Sequence, residues 1–220
     1  MRLFLDTADN IEAERYMRLG VIGGVTTNPT LLSKMAGDWK KRCRIIADIV
    51  QPLPVSVEVT ESNPAAMVEQ AKEIAGWATN INVKIPIHAV DGGLDYLEVV
   101  HRLEKDEGIH VNVTACMSAQ QCMLAAMAGA AFVSLFGGRV ANMGYETAAE
   151  VGKARALIAR VNGHTKLIVG STREAANVTE WFLAGADIVT VTPQLIETMV
   201  RHPYTTETVR QFLEDGGKLK

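Results

Sequence analysis

Short runs in which apolar residues fall at every second position alternate along this chain with longer stretches in which they recur every three or four. The first kind of run reads as a strand and the second as a helix. Eight strand-like runs stand out: Arg2 to Asp6, Gly24 to Thr27, Val55 to Val59, Ile81 to Ile85, Val111 to Ala115, Ala131 to Leu135, Lys166 to Gly170 and Asp187 to Val191. The helical stretches between them are punctuated by capping residues. Asp9 opens one that stops at Gly20, Asn63-Pro64 opens one that reaches Gly76, and Ser118 with Gln121 opens one that stops at Gly129. Further helices end near Gly108, Gly163 and Gly185, and a final amphipathic helix from Thr205 to Asp215 precedes the polar tail Gly216 to Lys220. Eight βα units at this spacing predict an α/β fold: a closed (β/α)8 barrel over residues 1–220 as a single domain, with an extra C-terminal helix. A doubly wound open sheet is the alternative. Both put the functional site at the carboxyl ends of the strands.

Parity within the strands says more. In Ile81-Asn82-Val83-Lys84-Ile85, the three apolar residues share one face while Asn82 and Lys84 share the other. Both faces of a parallel sheet are covered, so Lys84 leaves bulk water on either one. Burial can lower a lysine pKa by about 3–5 units at the extreme, which yields a neutral amine able to attack a carbonyl. A lysine that merely pairs with a carboxylate in a core is the structural alternative. Barrel interiors are normally filled by branched apolar side chains. Here Ser56, Glu58 and Thr60 alternate with Val55, Val57 and Val59, and Asn112 and Thr114 alternate with Val111 and Val113. Three successive strands thus turn polar residues to one side, and a core built for stability alone would not.

Composition narrows the classes. The 220 residues are 48% hydrophobic, enough for one substantial core, and the net charge of -3 is spread along the chain, which gives no basic face for nucleic acid. After Met1-Arg2 the apolar run Leu3-Phe4-Leu5 is stopped by Asp6, too short for a signal-peptide core, and no later run approaches a membrane span. The expectation is a cytoplasmic protein without membrane contact. Cys43, Cys116 and Cys122 lack C-x-x-C spacing and read as buried apolar thiols, and the five histidines are scattered, so no metal site is expected.

Polar residues at the predicted strand ends are Asp6, Asn28, Glu58, Lys84, Thr114 and Ser134, from the first six strands in order. Singly, Asp6 is an ordinary turn acid, Asn28-Pro29 ordinary loop punctuation and Thr114 a satisfied buried hydroxyl. Their convergence around a lysine points to chemistry.

Leu5-Asp6-Thr7, Gly24-Val25-Thr26-Thr27-Asn28-Pro29-Thr30, Val57-Glu58-Val59, Val83-Lys84-Ile85-Pro86, Asn112-Val113-Thr114 and Phe136-Gly137-Gly138-Arg139 together resemble the transaldolase family, in its short-chain branch, which also holds the fructose-6-phosphate aldolases. The resemblance implies a class I aldolase-type barrel in which Lys84 forms a Schiff base with a ketose, with no metal or organic cofactor. It implies that Glu58, through a water held by Thr114, moves protons during dehydration, that Asp6 takes the proton of the hydroxyl across the breaking bond, and that Asn28, Thr27 and Ser134 hold the three-carbon unit. Arg139, Ser171 and Arg173 follow the sixth and seventh strands and are the candidates for the distal anionic group of a sugar phosphate or a sulfosugar. Phe136 and Glu58 match transaldolases where the aldolases carry tyrosine and glutamine, which favours transfer over cleavage. A homo-oligomer of pentamers stacked into decamers is also implied, with residues 205–220 as a contact element. The chain departs from the family at Leu135, Gly137, Ala115-Cys116-Met117 and Glu174, where the far end of the sugar would lie, and a transaldolase acting on 6-deoxy-6-sulfofructose is the alternative to the sugar-phosphate enzyme.

Overall fold

The computed structural model describes residues 1–219. Eight strands, β1 (Arg2–Asp6), β2 (Val25–Thr26), β3 (Val55–Glu58), β4 (Ile81–Pro86), β5 (Val111–Cys116), β6 (Phe132–Leu135), β7 (Lys166–Val169) and β8 (Ile188–Val191), form a closed parallel barrel in sequence order. The barrel closes where β8 pairs with β1, Leu3 beside Val189 and Phe4 beside Thr190. The open-sheet alternative is thereby excluded.

Helices α1 (Asn10–Leu19), α2 (Pro29–Leu32), α3 (Trp39–Val50), α4 (Pro64–Ala75), α5 (Asp95–Lys105), α6 (Ala119–Met127), α7 (Gly137–Asn142), α8 (Thr147–Val161), α9 (Ala175–Leu183), α10 (Pro193–Val200) and α11 (Pro203–Gly217) surround it. The predicted caps form. Asp9 Oδ1 accepts from the Ile11 and Glu12 amides at 2.7 and 3.3 Å, and Gly20 ends α1 at φ 67°. The C-terminal helix is longer than its apolar pattern, because Pro203 supplies a first-turn residue and the His202 side chain accepts from the Tyr204 amide. No residue of α11 is buried: Tyr204, Phe212 and Leu213 are 77%, 69% and 72% exposed. Among the described residues, no helix is long and apolar enough to cross a membrane.

Outward-facing residues such as Val57, Val83, Ile85 and Val113 are fully buried against the helices, as the alternation predicts. The interior divides in two. One half is plugged by Phe4, Ile168 and Ile188, packed with Phe132, and the Phe4 ring fits because position 24 is glycine: a Cβ there would lie 2.5 Å from Phe4 Cζ. The other half is polar. Asn112 Nδ2 donates to Ser56 Oγ at 3.0 Å and Ser134 Oγ donates to Asn112 Oδ1 at 2.7 Å. All three residues are buried, so this network satisfies groups that would otherwise lose water without compensation.

Candidate active site

A cavity of about 480 Å³ opens at the carboxyl ends of the strands, above the polar half. Asp6, Glu58, Lys84, Thr114 and Ser134 line its floor from β1, β3, β4, β5 and β6, and Asn28 and Phe136 line its wall. Arg139, Ser171 and Arg173 also line it. Of the candidate catalytic and substrate-binding residues named from the sequence, only the Thr27 side chain is not brought there: it is fully buried and its hydroxyl donates to Ser56 O at 3.0 Å.

Lys84 is 5% exposed. Its Nζ donates to the Thr27 carbonyl at 2.9 Å and lies 3.0 Å from Glu58 Oε2. Thr27 thus contributes through its backbone, and the lysine tip is held between a fixed carbonyl and a carboxylate that can take its proton. The register puts Lys84 beside Glu58 on neighbouring strands, so the pairing follows directly from the β3–β4 ladder.

Asp6 accepts from Thr26 Oγ1 at 2.7 Å. Burial pushes its carboxyl above the ordinary carboxylate value, against the opposing pull of the Thr26 hydrogen bond and of Lys84, with Glu58 adding repulsion. Thr114 Oγ1 is buried without a partner in the protein, an unused hydroxyl beside Lys84 and Glu58. The strand bulges just beyond it, where the β5–β6 register shifts between Val113 and Cys116 and Ala115 takes φ 60°. Asn28 Oδ1 accepts from the Leu31 amide at 2.9 Å, capping α2, which leaves the amide nitrogen for the cavity. Ser134 gives its proton to Asn112, so toward a ligand it offers lone pairs.

At the mouth, the Arg139 guanidinium stacks over the Phe136 ring at 5.3 Å. Neither Arg139 nor Arg173 has a carboxylate partner among the described residues. Two free guanidiniums and the Ser171 hydroxyl make a set suited to a tetrahedral oxyanion. Among the described residues, no group of three or more His, Cys, Asp or Glu is placed to hold a metal ion.

The departures from the family pattern act elsewhere than expected. Leu135 and Cys116 are fully buried and do not line the cavity, and only Ala115 of that run does. Gly137 faces α9: a Cβ there would lie 2.8 Å from Trp181 Cζ2 and from Val169 Cγ1, so glycine makes room for the tryptophan. Glu174 caps α9, its amide donating to Asn177 Oδ1 at 3.0 Å, and does not line the cavity. Apart from Ala115, these positions give no reason to assign a different head group. Among the lining residues not named as candidates from the sequence are Thr26 and Thr190. Their signal was inward parity late in a strand, which Thr26 shares with Asp6.

The family model described as "Transaldolase/Fructose-6-phosphate aldolase" matches residues 3–219. A probable transaldolase of Dehalococcoides mccartyi is 38% identical over 216 residues, 98% of this chain and 97% of the relative. One of Exiguobacterium sp. is 41% identical over the same shares, and one of Thermoplasma volcanium is 37% identical over 100% of this chain and 96% of its own length. Among solved structures, 3-hexulose-6-phosphate synthase superposes with a TM-score of 0.63 at 14% identity, covering 87% of this chain and 90% of that one. A putative dihydrodipicolinate synthetase from Pseudomonas aeruginosa gives 0.65 at 14%, covering 89% and 71%. These two likenesses speak for the barrel alone.

Proposed function

The chain belongs to the transaldolase/fructose-6-phosphate aldolase family, and from that premise we propose that it transfers a dihydroxyacetone unit from fructose 6-phosphate to an aldose acceptor, erythrose 4-phosphate or glyceraldehyde 3-phosphate, through a Schiff base on Lys84. The observation that carries this reading is the placement of one buried amine 3.0 Å from Glu58, in the same cavity as Asp6.

In this reading Glu58 takes a proton from Lys84, and Nζ attacks the ketose carbonyl to give a carbinolamine. Glu58 then returns a proton, through a water held by the free Thr114 hydroxyl, to the departing hydroxyl, and an iminium forms. Its charge draws the electrons of the adjacent carbon–carbon bond as Asp6 removes the proton from the hydroxyl across that bond. The aldehyde leaves, and an enamine remains on the lysine. A second aldehyde accepts the enamine's electrons while Asp6 gives its proton to the new alkoxide, and water releases the product. A carboxyl whose pKa is raised by burial suits this role, because it both takes and returns a proton. Asn28 Nδ2 and Ser134 Oγ hold the retained unit, and Arg139, Ser171 and Arg173 hold the phosphate.

Glu58 and Phe136, where the aldolases carry glutamine and tyrosine, support transfer over cleavage in this reading. We extend the proposal to assembly: the apolar residues of α11 are left exposed by their own chain, and packing them on another copy would give a homo-oligomer, a pentamer or a decamer.

Borohydride reduction with fructose 6-phosphate, followed by mass spectrometry, tests the covalent step, with Lys84→Met as the control. A missing adduct on Lys84, or turnover that survives the substitution, sinks the proposal. A coupled assay of fructose 6-phosphate against 6-deoxy-6-sulfofructose, with and without acceptor aldehyde, decides head group and transfer against cleavage together. Turnover of the sulfonated ketose alone would overturn the phosphate assignment and leave the Schiff base standing.

A further inference from the structure

Three oxygens from three neighbouring strands form a hydrogen-bonded chain at the cavity. Asp6 Oδ1 on β1 lies 2.7 Å from Thr26 Oγ1 on β2, which lies 2.6 Å from Thr190 Oγ1 on β8. The two threonines flank β1, Thr26 in register with Asp6 and Thr190 with Phe4, and meet across it. Both are buried, at 4% and 9% exposure.

With Asp6 ionised, the direction of this chain follows from counting protons. An ionised carboxylate only accepts, so Thr26 must donate to Asp6. A hydroxyl has one proton, so Thr26 can only accept from Thr190, which must donate. Thr190 is itself held in place, since Thr172 Oγ1 donates to its carbonyl at 2.8 Å. We propose that Thr190 is a positioning residue for Asp6, acting through Thr26: its hydroxyl fixes the direction of the Thr26 proton and so favours the ionised, proton-accepting form of Asp6. This rests on the proton-transfer role given to Asp6 above.

The charged groups facing Asp6 are Lys84 from β4 and Glu58 from β3; β2 and β8 present only the two hydroxyls. Lys84 and Glu58 largely answer each other at 3.0 Å. The threonine chain is then the adjustable contribution to the carboxyl, and it opposes the upward push of burial. A plain packing role would be served equally by valine, which has the same shape.

Thr190→Val removes the donor and leaves Thr26 free to turn its proton away. Two readouts separate this idea from the reaction it rests on. The first is a carbon-13 titration of the Asp6 carboxyl in aspartate-labelled resting protein, the resonance assigned by its loss in Asp6→Asn. The second is the acid limb of kcat/KM for transfer. In Thr190→Val both move to higher pH, by about half a unit, because each member of a hydrogen-bonded chain strengthens the next by roughly 10–30%. Thr26→Val, which removes the direct bond, moves both further, and Thr190→Ser restores wild-type behaviour. An Asp6 titration unchanged in Thr190→Val overturns the proposal, as does a serine variant no better than valine, or a loss of turnover equal at every pH. If wild-type protein turned over no ketose, the carboxyl titration would still decide the role of Thr190 while the reaction fell.

Discussion

Gly138 offers a sharp test of the phosphate site proposed at Arg139, Ser171 and Arg173. It is the second residue of α7, and a Cβ built on it would lie 1.9 Å from the Ser171 carbonyl oxygen, 3.0 Å from its carbon and 3.1 Å from Arg173 Cγ. The first two atoms are backbone, so no rotamer change relieves the overlap in Gly138→Ala. The loop after β7 must move by roughly 1 Å, and overpacking of this kind costs about 1–3 kcal/mol of stability. Ser171 has little slack, since it already sits at φ 59°, where a side chain is disfavoured. Ser171 and Arg173 move with that loop, while Lys84, Glu58 and Asp6 stand on other strands. A misplacement of about 1 Å at a positioning group costs up to roughly 100-fold. The expected outcome is a loss of 10- to 100-fold (about) in kcat/KM for fructose 6-phosphate, mostly in KM, with a much smaller loss for unphosphorylated fructose. Urea melts of the same variant check the stability cost. An equal loss for both ketoses would refute the argument, because the contact would then not act through the residues at the anion.

Gly137→Val tests the neighbouring glycine in the opposite sense: its clash is with Trp181 and Val169, so about 1–3 kcal/mol of stability is lost in urea melts while the ratio of fructose 6-phosphate to fructose turnover stays put. Asp6→Asn abolishes carbon–carbon cleavage yet raises the melting temperature at neutral pH. The folded carboxyl titrates above its ordinary 3.8, so its ionised form opposes folding once pH exceeds that value; the variant's advantage is present at pH 7 and fades as pH falls toward 3.8, as thermal melts across that range will show. Truncation before Pro203 removes α11 and none of the buried core, so the barrel should still melt cooperatively while sedimentation velocity reports monomer; a larger species from the truncated chain would reject α11 as the contact.

Period two made the floor of the cavity readable, because it fixes which residues of a strand face inward without any knowledge of the neighbours. Glu58 and Lys84 needed only that rule and the parallel register to be placed side by side. What stayed hidden depends on closure. Thr26 and Thr190 are 164 positions apart and meet only because β8 returns to β1, and Ile188-Val189-Thr190-Val191 reads as any buried strand. Thr27 was misjudged for another reason, since its backbone carbonyl holds Lys84 while its side chain turns away, and sequence patterns speak of side chains. The same limit misdirected Leu135, Cys116 and Gly137. They are close in sequence to cavity residues and face the helices.

The two acceptors around Lys84 differ in a way that bears on the order of events. A protonated amine has three protons to give, and the structure provides it with a fixed acceptor, Thr27 O at 2.9 Å, and a movable one, Glu58 Oε2 at 3.0 Å. An iminium keeps a single N–H. In the Schiff base proposed for Lys84, one acceptor must be released, and the Thr27 carbonyl cannot leave because its residue is locked by the Ser56 carbonyl and the β2–β3 ladder. Glu58, whose side chain is 18% exposed against 6% for Lys84, is the one that can turn. On the proposed mechanism, the loss of the N–H contact would free the carboxylate toward the cavity at the stage when water has just been expelled and must later return. Placing the anchor on backbone and the proton carrier on a side chain lets one pair of neighbouring strands hold the nitrogen still while the acid beside it changes partners.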